Sequence, residues 1–248
     1  MRSANPALNE KTFRAHPAVL GAETMTLNGT VNKTGIMLIL LLAPAAWTWN
    51  QFFNNPETPQ AVLPWMLGGM ILGLILGLVT AFKAAWAPAL APVYAICQGF
   101  FLGGLSAIFE ARFPGIVIQA VALTFGTLAA LLMAYKTGII KATENFKLGV
   151  AAATGGIFLI YLTSFALSFF SIRVPYIHES GLIGIGFSLF VVVIAALNLV
   201  LDFDFIETGA ERGAPKYMEW YGAFGLMVTL IWLYIEFLRL LAKLNSRR

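Results

Sequence analysis

Asp202 and Asp204 are the only aspartates in the chain, and both fall near the end of a long apolar run that begins near Gly181. In this stretch, AALNLVLDFDF at residues 195–205, Asn198 stands one helical turn before Asp202. A carboxylate inside a membrane helix costs about 2.5–3.5 kcal/mol even on a lenient insertion scale, so by default it marks a functional position. Residues two apart on a helix point about 200° apart, so the two aspartates face different ways unless the helix end unwinds. Asp202 shares its face with Asn198 and Ala195 and is the better candidate for an interior position, whereas Asp204 is expected to point toward the headgroups. The plain reading is a pair of acids in the last turns of a helix, snorkelling to water. The sharper reading is a latch sensitive to protons and cations. A nearby base, Lys83 by topology, would keep Asp202 charged and hold helices together, and acid would release them. Oxygen ligands suit Ca²⁺, but a resident ion takes about six to eight of them. Asp202 and Asp204 therefore make a weak, transient metal site at best, which fits passage better than storage.

These residues need a membrane to sit in. The chain has 248 residues, 59% of them hydrophobic and 11% charged, and its mean hydropathy is +0.79. A soluble domain carries about 25% charged residues. Apolar stretches near 20 residues long, with charges confined between them, indicate a polytopic all-α membrane protein whose partner is the lipid bilayer. Seven spans are expected, at 34–50, 62–82, 88–109, 115–135, 148–171, 181–206 and 218–241. They form one helical membrane domain over residues 34–244, behind a polar tail at 1–33. The tail has no apolar h-region, so a cleavable signal peptide is not expected and insertion begins at the first span. That span is short, and Pro44 is expected to kink it. Trp47 and Trp49 suit a membrane interface. Gly69, Gly73 and Gly77 in the second span, and Gly99, Gly103 and Ala107 in the third, form faces of small residues on which helix backbones can approach.

The net charge of +4 lies in loops and termini, so it speaks to topology and not to nucleic acid. With the N-terminus inside, ten Lys and Arg fall on the inner side and six on the outer. The basic C-terminus runs against the rule, because seven spans put it outside. In this arrangement Asp202, Asp204, Lys83, Glu219 and Tyr221 lie toward the inner face. Glu236 and Arg239 lie toward the outer face, one turn apart and able to pair, with Glu110 at similar depth as an interfacial charge. Enzyme signatures fail. The only histidines are His16 and His178, outside the spans, so Ser106 and Ser188 have no buried histidine base. The lone Cys97 allows neither an internal disulfide nor a cysteine-based zinc site. No cofactor is expected. The Pro-broken first span would suit a secondary transporter, but no internal repeat accompanies it.

Four segments in order carry a resemblance: MTLNGTVNKTG (25–35), YAICQGFFLGGLSAIFE (94–110), LDFDFIE (201–207) and AFGLMVTLIWLYIEFLRLL (223–241). Together they resemble the transmembrane Bax inhibitor family, in its bacterial Bax inhibitor-1/YccA branch. The resemblance implies six helices around a central seventh, in a bacterial cytoplasmic membrane. In some members it implies a pH-sensitive Ca²⁺ leak, in which an Asp on the sixth helix pairs with an Asp on the last and controls opening. Asp202 matches the sixth-helix position. The last-helix position falls on Thr229, which cannot share a proton as a carboxylate does; Asp204 and Glu236 are the candidate substitutes, and neither stands at the matching position. The family also resembles regulators of membrane-protein quality control, including partners of an AAA membrane protease, and suppressors of cell death in eukaryotes. A non-conducting regulatory subunit is thus the alternative to a leak.

Overall fold

A computed structural model describes residues 23–55, 59–168, 170 and 181–247. The tail positions Arg2, Lys11, Arg14 and His16, and the loop positions Arg173 and His178, lie outside the described residues. Among the described residues, seven helices are long and apolar enough to cross a membrane: α1 (Leu27–Asn54), α2 (Leu63–Phe82), α3 (Ala87–Arg112), α4 (Ile116–Lys136), α5 (Glu144–Ser168), α6 (Leu182–Glu211) and α7 (Met218–Asn245). Among the described residues there is no strand, only an isolated bridge between Thr24 and Pro215.

The first helix departs most from expectation. It is not short. It starts at Leu27, inside the segment assigned to the tail, and runs 28 residues straight through Pro44. The cause is local: Thr26 is extended and its hydroxyl accepts from the Gly29 amide at 3.0 Å, capping the helix seven residues before the apolar run. Helix α6 likewise continues past the expected end to Glu211, and α5 begins earlier, at Glu144.

The described chain divides into two compact units. The first comprises α1, α2 and α3 with residues 204–228, which hold the last turns of α6 and the first turns of α7. Small residues set its packing. A Cβ on Gly99 would strike the Leu41 carbonyl, and one on Gly103 the Thr48 hydroxyl and the Ala45 carbonyl, so α1 and α3 meet backbone to backbone. Between α2 and α3, a Cβ on Gly69 would strike the Cys97 carbonyl, and one on Gly73 would lie 2.6 Å from Gln98 Nε2. Trp47 packs edge-on against Trp65 and Phe100, at 5.1 and 5.8 Å between ring centroids. Tyr94 meets Phe224 of α7 at 5.0 Å. The turn from α6 to α7 is made at Gly213, whose φ of +63° is a left-handed conformation that a side chain would strain.

The second unit comprises α4, α5, residues 182–203 of α6 and residues 229–245 of α7. Its core joins Ile157 of α5 to Val191 and Ile194 of α6, with Ala153, Tyr161, Phe187 and Trp232 around them. In both units large apolar side chains such as Ile39, Leu74, Phe82, Ile118, Phe158 and Leu159 face outward. That is the arrangement lipid calls for and water penalises. α7 is the most deeply buried of the seven helices, followed by α3 and α6.

The glycine contacts predict that Gly99→Ala lowers thermal stability in detergent by about 1–3 kcal/mol, the usual cost of overpacking against backbone. Gly126→Ala, which meets nothing within 4 Å, is expected to be neutral or slightly stabilising, because alanine is the better helix former. Parallel melts of the two variants check this.

Candidate functional site

Asp202 is fully buried and Asn198 is 3% exposed, whereas Asp204 is partly exposed. The difference follows from the 200° between the two aspartates on one helix. Because α6 extends to Glu211, Asp202 stands nine residues inside the helix end, roughly 13 Å along the axis at about 1.5 Å per residue. Snorkelling therefore fails to describe Asp202. The amide nitrogen of Asn198 is held twice: Nδ2 donates to Thr154 Oγ1 of α5 at 2.9 Å and to the Ile194 carbonyl at 2.8 Å. Thr229 is also buried, at 3% exposure, on the second unit's part of α7. Lys83, the expected counter-ion, is exposed at the C-cap of α2 and makes no ion pair among the described residues. The lysine that is buried is Lys147, in the first turn of α5 at 4% exposure, with Glu144 Oε1 3.6 Å from its ammonium. In the sequence it reads as one of three loop lysines. Only its burial singles it out.

The pairing of Glu236 with Arg239 that their spacing suggests is present at 3.0 Å. Glu236 is 1% exposed, and the Tyr161 hydroxyl also donates to it, at 3.1 and 3.2 Å to its two oxygens. The Arg239 guanidinium lies over the Tyr161 ring at 5.3 Å. One turn further on, Lys243 donates to Ser188 Oγ at 2.8 Å and to the Gly184 carbonyl at 3.0 Å, tying the end of α7 to the start of α6. Ser188, 3% exposed, thus has a lysine neighbour, which the sequence reading of its bases leaves out. Glu110 lies partly exposed in the last turn of α3.

A third buried carboxylate, Glu219 in the first turn of α7, forms a centre to which the sequence assigns a depth but no partners. It is fully buried. Its Oε1 accepts from the Thr26 amide at 2.9 Å and the Thr26 hydroxyl at 2.8 Å, and lies 3.2 Å from Lys216 Nζ. Its Oε2 pairs with Lys33, whose ammonium also sits over the Trp220 ring. Beside it, the Met25 amide donates to the Ala214 carbonyl at 2.7 Å and the Lys216 amide to the Glu23 carbonyl at 3.1 Å. The segment preceding α1 is thereby strapped to the turn between α6 and α7. Gly29 makes room, since a Cβ there would collide with the Glu219 carboxylate. The spacing of Lys216 and Glu219 at a helix start was the available signal; the partners Thr26 and Lys33 lie about 190 residues away, beyond any local pattern.

Among the described residues, no three His, Cys, Asp or Glu side chains converge into a metal-binding group. Asp202 and Asp204 differ in burial and do not make a closed oxygen cage of the kind Ca²⁺ needs.

Glu219→Gln keeps an acceptor for Thr26 and removes the ion pairs. Hydrogen exchange at the Met25 and Lys216 amides is expected to speed up roughly tenfold or more, equivalent to about 1.4 kcal/mol of local opening free energy. The amides of the α5 core should not change.

A family model for Bax inhibitor 1-like proteins matches residues 5–246. No curated protein and no solved structure matches the chain. The chain belongs to the Bax inhibitor 1-like family of membrane proteins.

Proposed function

We propose that this protein is a proton-sensitive cation leak, with Ca²⁺ as the permeating ion and Asp202 as the gating residue, in a bacterial cytoplasmic membrane with its N-terminus inside. The observation that carries the reading is the complete burial of the Asp202 carboxylate well inside α6 of a Bax inhibitor 1-like chain. An acid that no solvent reaches is costly for stability alone. It also changes charge when protonated, which gives a helix bundle two states to choose between. In the charged state the carboxylate attracts cations and holds neighbouring donors; acid neutralises it and loosens that hold.

The experiment is Ca²⁺ flux into liposomes carrying the purified protein, between about pH 6 and pH 8. Flux is expected to rise as the pH falls. Asp202→Asn, locked in the neutral form, is expected to flatten the pH dependence. Thr229→Asp supplies a second carboxylate at the position the family resemblance assigns to one, and should spread the response over a wider pH range, since two interacting acids release their protons in two separated steps.

Thr229 itself favours a second reading, a non-conducting regulator that binds a membrane protease or a similar complex. No flux above empty liposomes, from protein shown to be folded, would select this reading. The polar tail at 1–33 is the contact in this reading, and truncating its part ahead of α1 would then abolish capture of the partner.

A further inference from the structure

Helices α5 and α6 of the second unit run antiparallel, in a register that three contacts define. Tyr161 stacks edge-on against Phe187 at 6.2 Å, Ile157 shares a core with Val191 and Ile194, and Thr154 accepts from Asn198 at 2.9 Å. On α5 these positions continue toward the N-terminus as Val150 and Lys147, each 4% exposed. The spacing of 147, 150, 154, 157 and 161 is a single stripe of an α-helix. On α6 the matching stripe is Phe187, Val191, Ile194, Asn198 and then Asp202, which is fully buried. One turn beyond the Thr154–Asn198 bond, Val150 faces the level of Asp202. Lys147 follows three residues later, an offset of about 4.5 Å along the axis, which a lysine's flexible four-carbon stem can span.

We infer that the Lys147 ammonium is the counter-charge of Asp202, a buried electrostatic tie between α5 and α6 that occupies the place Lys83 was expected to fill. Burial makes the argument. A lysine in the first turn of a helix that starts at a membrane boundary can extend to water at little cost. Lys147 instead keeps its side chain 5% exposed, while Glu144, the carboxylate 3.6 Å from it, is 68% exposed. A buried ammonium and a buried carboxylate on facing stripes of one helix pair lower each other's desolvation cost, and removing either leaves the other uncompensated. The role assigned to the tie deepens the leak reading and rests on it: the ammonium is a tethered cation that a permeating ion must displace from Asp202. The tie itself does not rest on that reading.

The test is a double-mutant cycle on thermal stability with Lys147→Met and Asp202→Asn. Each single variant is expected to melt about 4 °C or more below the parent, with the double variant recovering at least half of that loss. Additive losses would overturn the pair. The cycle of Glu144→Gln with Lys147→Met should show the weaker coupling. If a single variant does not fold, the pair is read by cross-linking in a Cys97→Ser background with a short bifunctional thiol reagent. Val150→Cys, which keeps Lys147 and Asp202, is expected to cross-link to Asn198→Cys and not to Phe203→Cys, which faces Tyr135 of α4; the reverse preference would overturn the inference. Flux is then measured separately with Lys147→Met, and is expected to increase at neutral pH. Coupling without flux in any variant would reject the leak and keep the pair. Flux with additive variants would reject the pair and keep the leak.

Discussion

Taking a carboxylate out of water costs several kcal/mol unless donors replace its hydration, and α6 and α7 together bury three: Asp202, Glu219 and Glu236. Around Glu219 and Glu236 much of the polar architecture is that replacement. Glu219 gathers Thr26, Lys33 and Lys216 and so fixes the start of α1 to the α6–α7 turn. Glu236 gathers Arg239 and Tyr161 and so joins α7 to α5. Glu219 and Glu236 are thus points where helices distant in sequence are held in one arrangement. The apolar surface gives no such specificity, because lipid solvates an outward-facing leucine as well as another helix does.

The division of labour between packing and polarity follows from this. Where α1, α2 and α3 meet, the contacts are backbone against backbone across Gly69, Gly99 and Gly103, and van der Waals contact is the main attraction. Where α5 meets α6, the residues are larger and a hydrogen-bonded amide, Asn198 on Thr154, pins the register. The pinned register matters for function because it carries Asp202 to a fixed level against α5.

The departure at Thr229 separates this chain from the two-carboxylate arrangement that the family resemblance implies. A threonine can donate and accept a hydrogen bond but changes no charge over the pH range in which a carboxylate does. Under the proposed leak, the electrostatic response therefore falls on Asp202 and on Lys147, its inferred counter-charge. A carboxylate opposed by an ammonium has a different neutral state from one opposed by a second carboxylate, since protonation leaves the lysine charge behind.

The sequence by itself determined the fold class, because period and length suffice: runs of apolar residues near the thickness of a bilayer can satisfy their backbone only as helices. It also determined that Asp202 and Asp204 face apart and that Glu236 and Arg239 are one turn apart, since both follow from helical geometry within a few residues. It misplaced the start of α1, because Thr26 caps the helix and Glu219 neutralises Lys33, and the second partner lies far along the chain. Tertiary structure alone decided which lysine is buried. Lys83 and Lys147 look alike as loop cations, and only tertiary packing takes Lys147 out of water while Lys83 stays exposed at a helix end.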